Sequence, residues 1–427
     1  EHKAHQFDRK MSGEVQRYWV CILVFLLILL KKTESYSVDI TYVESAVEKG
    51  GVCLDGSPPA YHLDKGFGKG IDNWLVHIEG GTWCHNVKTC LARKKTRLGS
   101  SKLMEKQVVF SGILSNNKKF NPDFYNWNRI KVRYCDGSSF TGNKTKVDPK
   151  TGLHYRGARV FAAIMDDLLA QGMSNAQNAV LSGCSAGGLA SILHCDIFAA
   201  LFSPDTKVKC FADAGFFLDA NDISDLAPIE NFYDDVAKTH GSKESLPQPC
   251  ISMMWPSQCF FPQNMLQDIQ TPLFFVNAAY DSWQIKNILA PRAADPRDRW
   301  KNCKAAITKC SPDQIEILQS YRKQFIDSLI NALDSSESAG YFINSCYAHC
   351  QTETQETWLS QGSPRLNQTT IAKAVEIGIT TGARFGVSIA SILATKRAII
   401  RPLSLQKCRY NTEQNKEIVA ISGIVST

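Results

Sequence analysis

The sequence predicts an α/β fold, in which a mostly parallel central sheet is flanked by helices and interrupted by disulfide-rich insertions. Three observations predict it. Apolar runs of strand length recur at Trp74–Ile78, Ile130–Tyr134, Ala179–Leu181, Val208–Ala212, Pro272–Asp281 and Gly340–Ile343. Helical periodicity stands between them, at Arg159–Ala170 and Gln314–Leu333, so the order is strand, helix, strand, with crossover helices. The chain holds 15 cysteines, too many for an ordinary core.

Taken in order, residues 1–10 carry neither a start Met nor an apolar pattern and read as a leader foreign to the protein, with Met11 the expected start. Residues 11–37 read as a signal peptide. Arg17 precedes the apolar run Trp19–Leu30, which is too short to span a bilayer, and Ser35-Tyr36-Ser37 offers a small-x-small cleavage site. Lys31 and Lys32 after the run are atypical and leave an uncleaved anchor as the lesser alternative. Removing Cys21 with that segment leaves 14 of the 15 cysteines, an even number that suits disulfides in an oxidising compartment. Asn143-Lys144-Thr145 and Asn367-Gln368-Thr369 are glycosylation acceptors of the same compartment. The 48 basic and 41 acidic residues leave a net charge of +7, mild and dispersed, which does not suggest a nucleic-acid role.

The segment from Val38 reads as loop. The Trp74–Ile78 strand then runs into Glu79-Gly80-Gly81-Thr82-Trp83-Cys84, where paired glycines let backbone N–H groups turn toward a ligand. Ile130–Tyr134 alternates apolar and basic residues and reads as a half-buried strand. The Arg159–Ala170 helix presents Val160, Phe161, Ile164, Leu168 and Leu169 on one face and stops at Gly172.

The Ala179–Leu181 strand enters Gly183-Cys184-Ser185-Ala186-Gly187, and Leu189–Leu193 leads out as a helix. A G-x-S-x-G between strand and helix is the setting of a nucleophile elbow, with Ser185 at its tip and the Ala186 N–H facing the oxyanion that would form. Asp281 closes the Pro272–Asp281 strand and His349 follows Gly340–Ile343. Ser185, Asp281 and His349 thus fall in the order nucleophile, acid, base, which is that of α/β-hydrolases. A serine hydroxyl needs an imidazole to take its proton and a carboxylate to hold the imidazole's tautomer. His77, His85, His154, His194 and His240 are rival bases. Asp213 also follows a strand and remains a rival acid on spacing alone. Cys184 occupies the x before the serine, where a side chain points away from the elbow tip. Cys346-x2-His349-Cys350 has the look of a partial zinc cluster, set against a secreted context that favours disulfides.

Several stretches resemble plant pectin acetylesterases, a family related to the animal Notum carboxylesterases. They are Val52–Pro59, Ile78–Cys84, Tyr134–Phe140, the Ser185 elbow, Trp255–Cys259 and Asn277–Gln284, in one order between about Tyr42 and Val375. The resemblance implies an α/β-hydrolase fold over 38–375 and a secreted enzyme that removes O-acetyl groups from cell-wall pectin. It implies Ser185, Asp281 and His349 as triad, Gly81 or Thr82 with Ala186 as oxyanion donors, and no metal or organic cofactor. The implied partner is acetylated pectin; the mild, dispersed charge suggests no nucleic-acid partner, and the short or interrupted apolar segments no stable membrane insertion. A Notum-like lipid deacylase and an inactive wall-binding protein on the same fold are the alternatives.

Beyond Val375 the resemblance stops. Family members continue Gly-Asp-Trp-Tyr-Tyr-Asp, whereas this chain reads Glu376-Ile377-Gly378-Ile379-Thr380-Thr381. The codons GGA GAT TGG TAT TAC GAC, read one base later, encode the residues seen here. Residues 376–427 are therefore expected to be a frame-shifted tail.

Overall fold

The computed structural model describes residues 36–334, 339–366 and 368–380. The leader, nearly all of the signal segment, Asn367 and the tail from 381 lie outside the described residues. A nine-stranded sheet organises the rest. Its strands are β1 (Ser37–Tyr42), β2 (Ala60–Asp64), β3 (Asn73–Ile78), β4 (Gln107–Val109), β5 (Asn128–Val132), β6 (Asn178–Cys184), β7 (Lys207–Asp213), β8 (Leu273–Ala278) and β9 (Ala339–Asn344). The spatial order is β4-β1-β2-β5-β3-β6-β7-β8-β9. From β5 to β9 every pairing is parallel, and β4, β1 and β2 form an antiparallel edge. The mostly parallel sheet is as expected.

Two expectations are corrected at that edge. The segment from Val38 is not loop: it forms β1, whose Ile40 pairs with His62 of β2. Its burial alternates, with Ser37, Asp39 and Thr41 exposed and Val38, Ile40 and Tyr42 more covered, so the period-2 strand signal stood in the sequence. β5 is not half-buried, because it lies inside the sheet between β2 and β3 with both faces covered. Its Arg129 is buried against Asp64, with N···O 2.5 Å. Arg133, just past the strand, is buried against Glu79 at 3.1 Å and Glu105 at 2.5 Å. Buried guanidinium groups persist only when paired in this way.

Side chains alternate across the parallel strands as the pleat requires. Trp74, Val76 and Ile78 of β3 and Leu181 of β6 face one core with α1 (Gly157–Ala170) and α2 (Ala186–Leu193). Leu75, Val180, Phe211, Phe274 and Phe342 face the other. Gly172 ends α1's turn at φ 114°, where a left-handed backbone suits glycine. Further helices are α3 (Pro228–His240), α4 (Pro312–Asp334) and α5 (Ile371–Thr380). α5 seals the second core through Ile371, Ala372, Ala374, Val375 and Ile379. The boundary expected after Val375 thus falls inside a helix, and the ideal Cβ of Gly378 would lie 2.5 Å from the Phe274 ring. At the other end, Ser37 opens β1 opposite Val109.

Six disulfides join described cysteines: Cys53–Cys135, Cys84–Cys90, Cys184–Cys350, Cys195–Cys210, Cys250–Cys259 and Cys303–Cys310. Cys346 is also disulfide-bonded. The insertion around Met253–Phe261 splits its residues. Phe260 and Phe261 pack on Tyr233, whereas Met253 and Trp255 are exposed. Among the described residues no helix is long and apolar enough to cross a membrane.

Candidate active site

The parallel strands deliver their C-terminal ends to one edge of the sheet, and the loops there make the site. β6 ends at Cys184, and Ser185 follows at φ 58° and ψ −125°, capping α2. Only small neighbours allow that turn. An ideal Cβ on Gly183 would sit 2.2 Å from the Gly187 carbonyl oxygen, and one on Gly187 would sit 2.2 Å from that of Ile78. The Ser185 N–H donates to the Asp213 carbonyl at 2.9 Å, tying the elbow to β7. Gly187→Ala is therefore expected to cost more than about 3 kcal/mol, because backbone must yield to backbone. A urea titration of the purified variant checks it, and a midpoint equal to that of the parent would refute the packing account.

The turn after β3 lies against this serine. An ideal Cβ on Gly80 would come within 2.9 Å of the Ser185 Cβ. Gly81 has φ 151° and Thr82 φ 57°, so the chain curls back on itself here. Among the described residues, no acceptor takes the backbone N–H of Gly81, Thr82 or Ala186. Three N–H donors without protein partners among the described residues thus stand on the two turns that meet where Gly80 abuts Ser185.

Asp281 and His349 meet across two loops. His349 Nδ1 lies 2.8 Å from Asp281 Oδ2 and 3.0 Å from Oδ1. Asp281 Oδ1 also accepts the N–H groups of Trp283 and Gln284 at 2.9 Å each, which fixes the carboxylate. Both side chains are buried. A carboxylate at Nδ1 selects the tautomer that carries its proton there and leaves Nε2 unprotonated. Trp283 stacks on the imidazole at 6.2 Å, and Phe217 lies 6.5 Å away. The Cys184–Cys350 disulfide joins the residue before Ser185 to the residue after His349, with Cα atoms 5.6 Å apart. A ring nitrogen of His349 lies within 4.8 Å of both sulfurs. His349 is therefore pinned beside the elbow covalently.

The rivals go elsewhere. His77 is buried in β3, 2.9 Å from Ser182 Oγ and 3.3 Å from Glu353. His194 ends α2 and stacks on Phe161, and burial pushes it down to about 4. His240 meets the Cys84 carbonyl, His85 packs on Phe232, and His154 lies by Gly56. Asp213 does not reach the imidazole by hydrogen bond. Its Oδ2 accepts from Gln351 N–H at 2.7 Å, Thr352 N–H at 2.8 Å and Thr352 Oγ at 2.7 Å. It holds the loop that carries His349, and burial raises its pKa to about 6. The sequence ranked it as a rival and missed this anchoring role, although its position at the end of the next strand was the signal.

Among the described residues, two cysteine–histidine groups lie close enough for a metal, Cys184/His349/Cys350 and Cys84/Cys90/His240. In each, the two sulfurs are joined to one another and offer no thiolate. The same bond removes Cys184 as a thiol nucleophile. Asn143 is half-buried, and its Oδ1 accepts from Arg159 Nε at 2.9 Å. The acceptor at Asn367 lies outside the described residues.

A family model described as pectinacetylesterase matches residues 31–383. Pectin acetylesterase 7 of Arabidopsis thaliana is 52% identical, over 85% of this chain and 92% of that one. Palmitoleoyl-protein carboxylesterase NOTUM of Mus musculus is 30% identical, over 55% of this chain and 48% of that one. Among solved structures, the Wnt deacylase Notum from Drosophila superposes with a TM-score of 0.66 at 20% identity, over 82% of this chain and 95% of that one.

Proposed function

Since the chain belongs to the pectinacetylesterase family and so to the carboxylic ester hydrolases, we propose that it hydrolyses the O-acetyl esters of pectin through an acetyl-enzyme on Ser185. The observation that carries the mechanism is the His349–Asp281 pair, covalently tied to the neighbour of Ser185, whose turn and the adjoining 80–82 turn carry three unclaimed N–H donors.

The steps follow from that geometry. Ser185 Oγ attacks the acetyl carbon while His349 Nε2 takes its proton. The carbonyl oxygen gains the negative charge, and the N–H groups of Gly81 or Thr82 and of Ala186 receive it. His349 returns the proton to the departing sugar oxygen, leaving acetate esterified to Ser185. Water, deprotonated by the same imidazole, then releases acetic acid and restores the serine. Asp281 holds the imidazole and stabilises its charged form throughout.

The wall beside the oxyanion turn favours a short acyl group. Trp83 is packed edge-on by Phe217, Phe232, Tyr233 and Trp283, with ring centroids 5.0 to 6.2 Å away. Side chains fill this flank, which a long acyl chain would need open. Secretion to the plant cell wall belongs to the same proposal, supported by the paired cysteines. The test compares acetate release from acetylated homogalacturonan with cleavage of para-nitrophenyl palmitate. The polysaccharide is expected to be turned over more than about tenfold faster per kcat/KM. Faster cleavage of the palmitate would replace the pectin assignment with a lipid deacylase.

A further inference from the structure

The two halves of the donor set come from different strands, and one chain of side-chain contacts joins them. The Tyr134 hydroxyl donates to the Thr82 carbonyl at 2.8 Å and accepts the Ser139 N–H at 2.9 Å. The Ser139 hydroxyl donates to the Ala186 carbonyl at 2.7 Å and accepts the Trp83 indole N–H at 2.7 Å. Both residues lie beyond β5, on neither the turn nor the elbow, and the reaction described above gives them no part. Both are fully buried.

This region is also where backbone strain collects. Thr82, Ser139, Phe140 and Ser185 all hold positive φ with a Cβ present. Such conformations persist only where the surroundings over-determine them. The 135–140 segment has that support. Asp136 Oδ2 accepts the N–H groups of Ser138 at 3.0 Å and Phe140 at 3.1 Å, and Cys135 is bonded to Cys53. The Arg93 guanidinium covers the Tyr134 ring at 4.8 Å.

We propose that Tyr134 and Ser139 are positioning residues that brace the oxyanion donors, Tyr134 through the Thr82 carbonyl and Ser139 through the Ala186 carbonyl. The proposal rests on the assignment of the 80–83 turn and Ala186 as the oxyanion site. Without the Tyr134 hydroxyl, Thr82 relaxes toward negative φ and carries its N–H away from Ser185. Without the Ser139 hydroxyl, the first turn of α2 and the Trp83 ring lose their common anchor. Donors act through being in place before charge develops, so the loss falls on the transition state and spares substrate binding.

The test uses Tyr134→Phe and Ser139→Ala, each of which removes one oxygen. Active serines are counted by stoichiometric reaction with diethyl para-nitrophenyl phosphate, and kcat and KM are measured on para-nitrophenyl acetate. Affinity is measured for a trifluoromethyl ketone, whose adduct with a serine carries the oxyanion. Expected are a loss of about tenfold to a hundredfold in kcat per titrated serine, KM within about threefold, and a matching loss of ketone affinity. Unchanged kcat per titrated serine would overturn the brace. So would a loss that appears only as fewer titratable serines, which is what a merely structural role produces. Should Tyr134→Phe fail to fold, Ser139→Ala decides alone. A wild-type chain in which Ser185 takes up no phosphate would instead bring down the underlying oxyanion assignment, and the brace with it.

Discussion

Ser185→Ala is expected to lower kcat for acetyl-ester hydrolysis by about four to six orders of magnitude, while stability moves by less than about 1 kcal/mol. The variant keeps the elbow's shape. Alanine tolerates φ 58° no better and no worse than serine, and the flanking glycines still admit the turn. Only the atom that would carry the acetyl group is gone. What remains is polarisation by the N–H groups of Gly81 or Thr82 and Ala186, which alone leaves a small residual rate over water. Acetate release from acetylated pectin, beside a urea titration of both proteins, checks it. Activity within tenfold of the parent would move the nucleophile elsewhere in the molecule.

Asp281→Asn is expected to cost about 10⁴-fold in kcat with the fold intact, whereas Asp213→Asn should stay within about tenfold of the parent. The difference comes from what each carboxylate touches. Asp281 faces His349 Nδ1, and an amide there can donate to the ring and favour the wrong tautomer. Asp213 faces two backbone N–H groups and a threonine hydroxyl, which an amide oxygen also accepts. Its pKa is raised to about 6 from 3.8 by burial, so the charged form is the costly one in the folded state. The folded protein then binds this proton more tightly than the unfolded chain. Its stabilising effect is full below about pH 4 and is lost as pH rises through about 6, a change of roughly 3 kcal/mol. Asp213→Asn removes that titration. Urea midpoints measured from pH 4 to pH 7 should show the variant gaining on the parent across the interval. Parallel curves would mean that Asp213 does not titrate there, and near-equal activity losses at 281 and 213 would reopen the choice of acid.

The elements legible in the chain were those with one dominant local signal. β3, β6 and β8 announce themselves as apolar runs because both faces of a parallel sheet are covered. α1 shows its face through Val160, Phe161, Ile164 and Leu168, and its stop through Gly172. Ser185 is marked by the glycines its turn requires, and Asp281 and His349 by their place after strands. β1 was legible in its alternation of Val38, Ile40 and Tyr42 with Ser37, Asp39 and Thr41, whereas β2 is covered on both faces and shows no such period. The burial of Arg129 and Arg133 was equally hidden, since a guanidinium reads as exposed until its carboxylate is known.

By itself, then, the sequence determined the fold class, the order of the chemistry-bearing residues along the sheet edge and the glycines of the elbow. Each depends on residues close together in the chain, where sterics and periodicity act directly. Only the tertiary structure decided which acid meets the imidazole, since Asp213 and Asp281 close adjacent strands and differ in what stands opposite them. Only it decided that Cys184 and Cys350, 166 residues apart, clamp the loops of Ser185 and His349 together. The link from Tyr134 and Ser139 to Thr82 and Ala186 was likewise decided there. Hydrogen bonds and disulfides between distant segments follow from where the sheet brings strand ends, and no local pattern of side chains encodes that meeting.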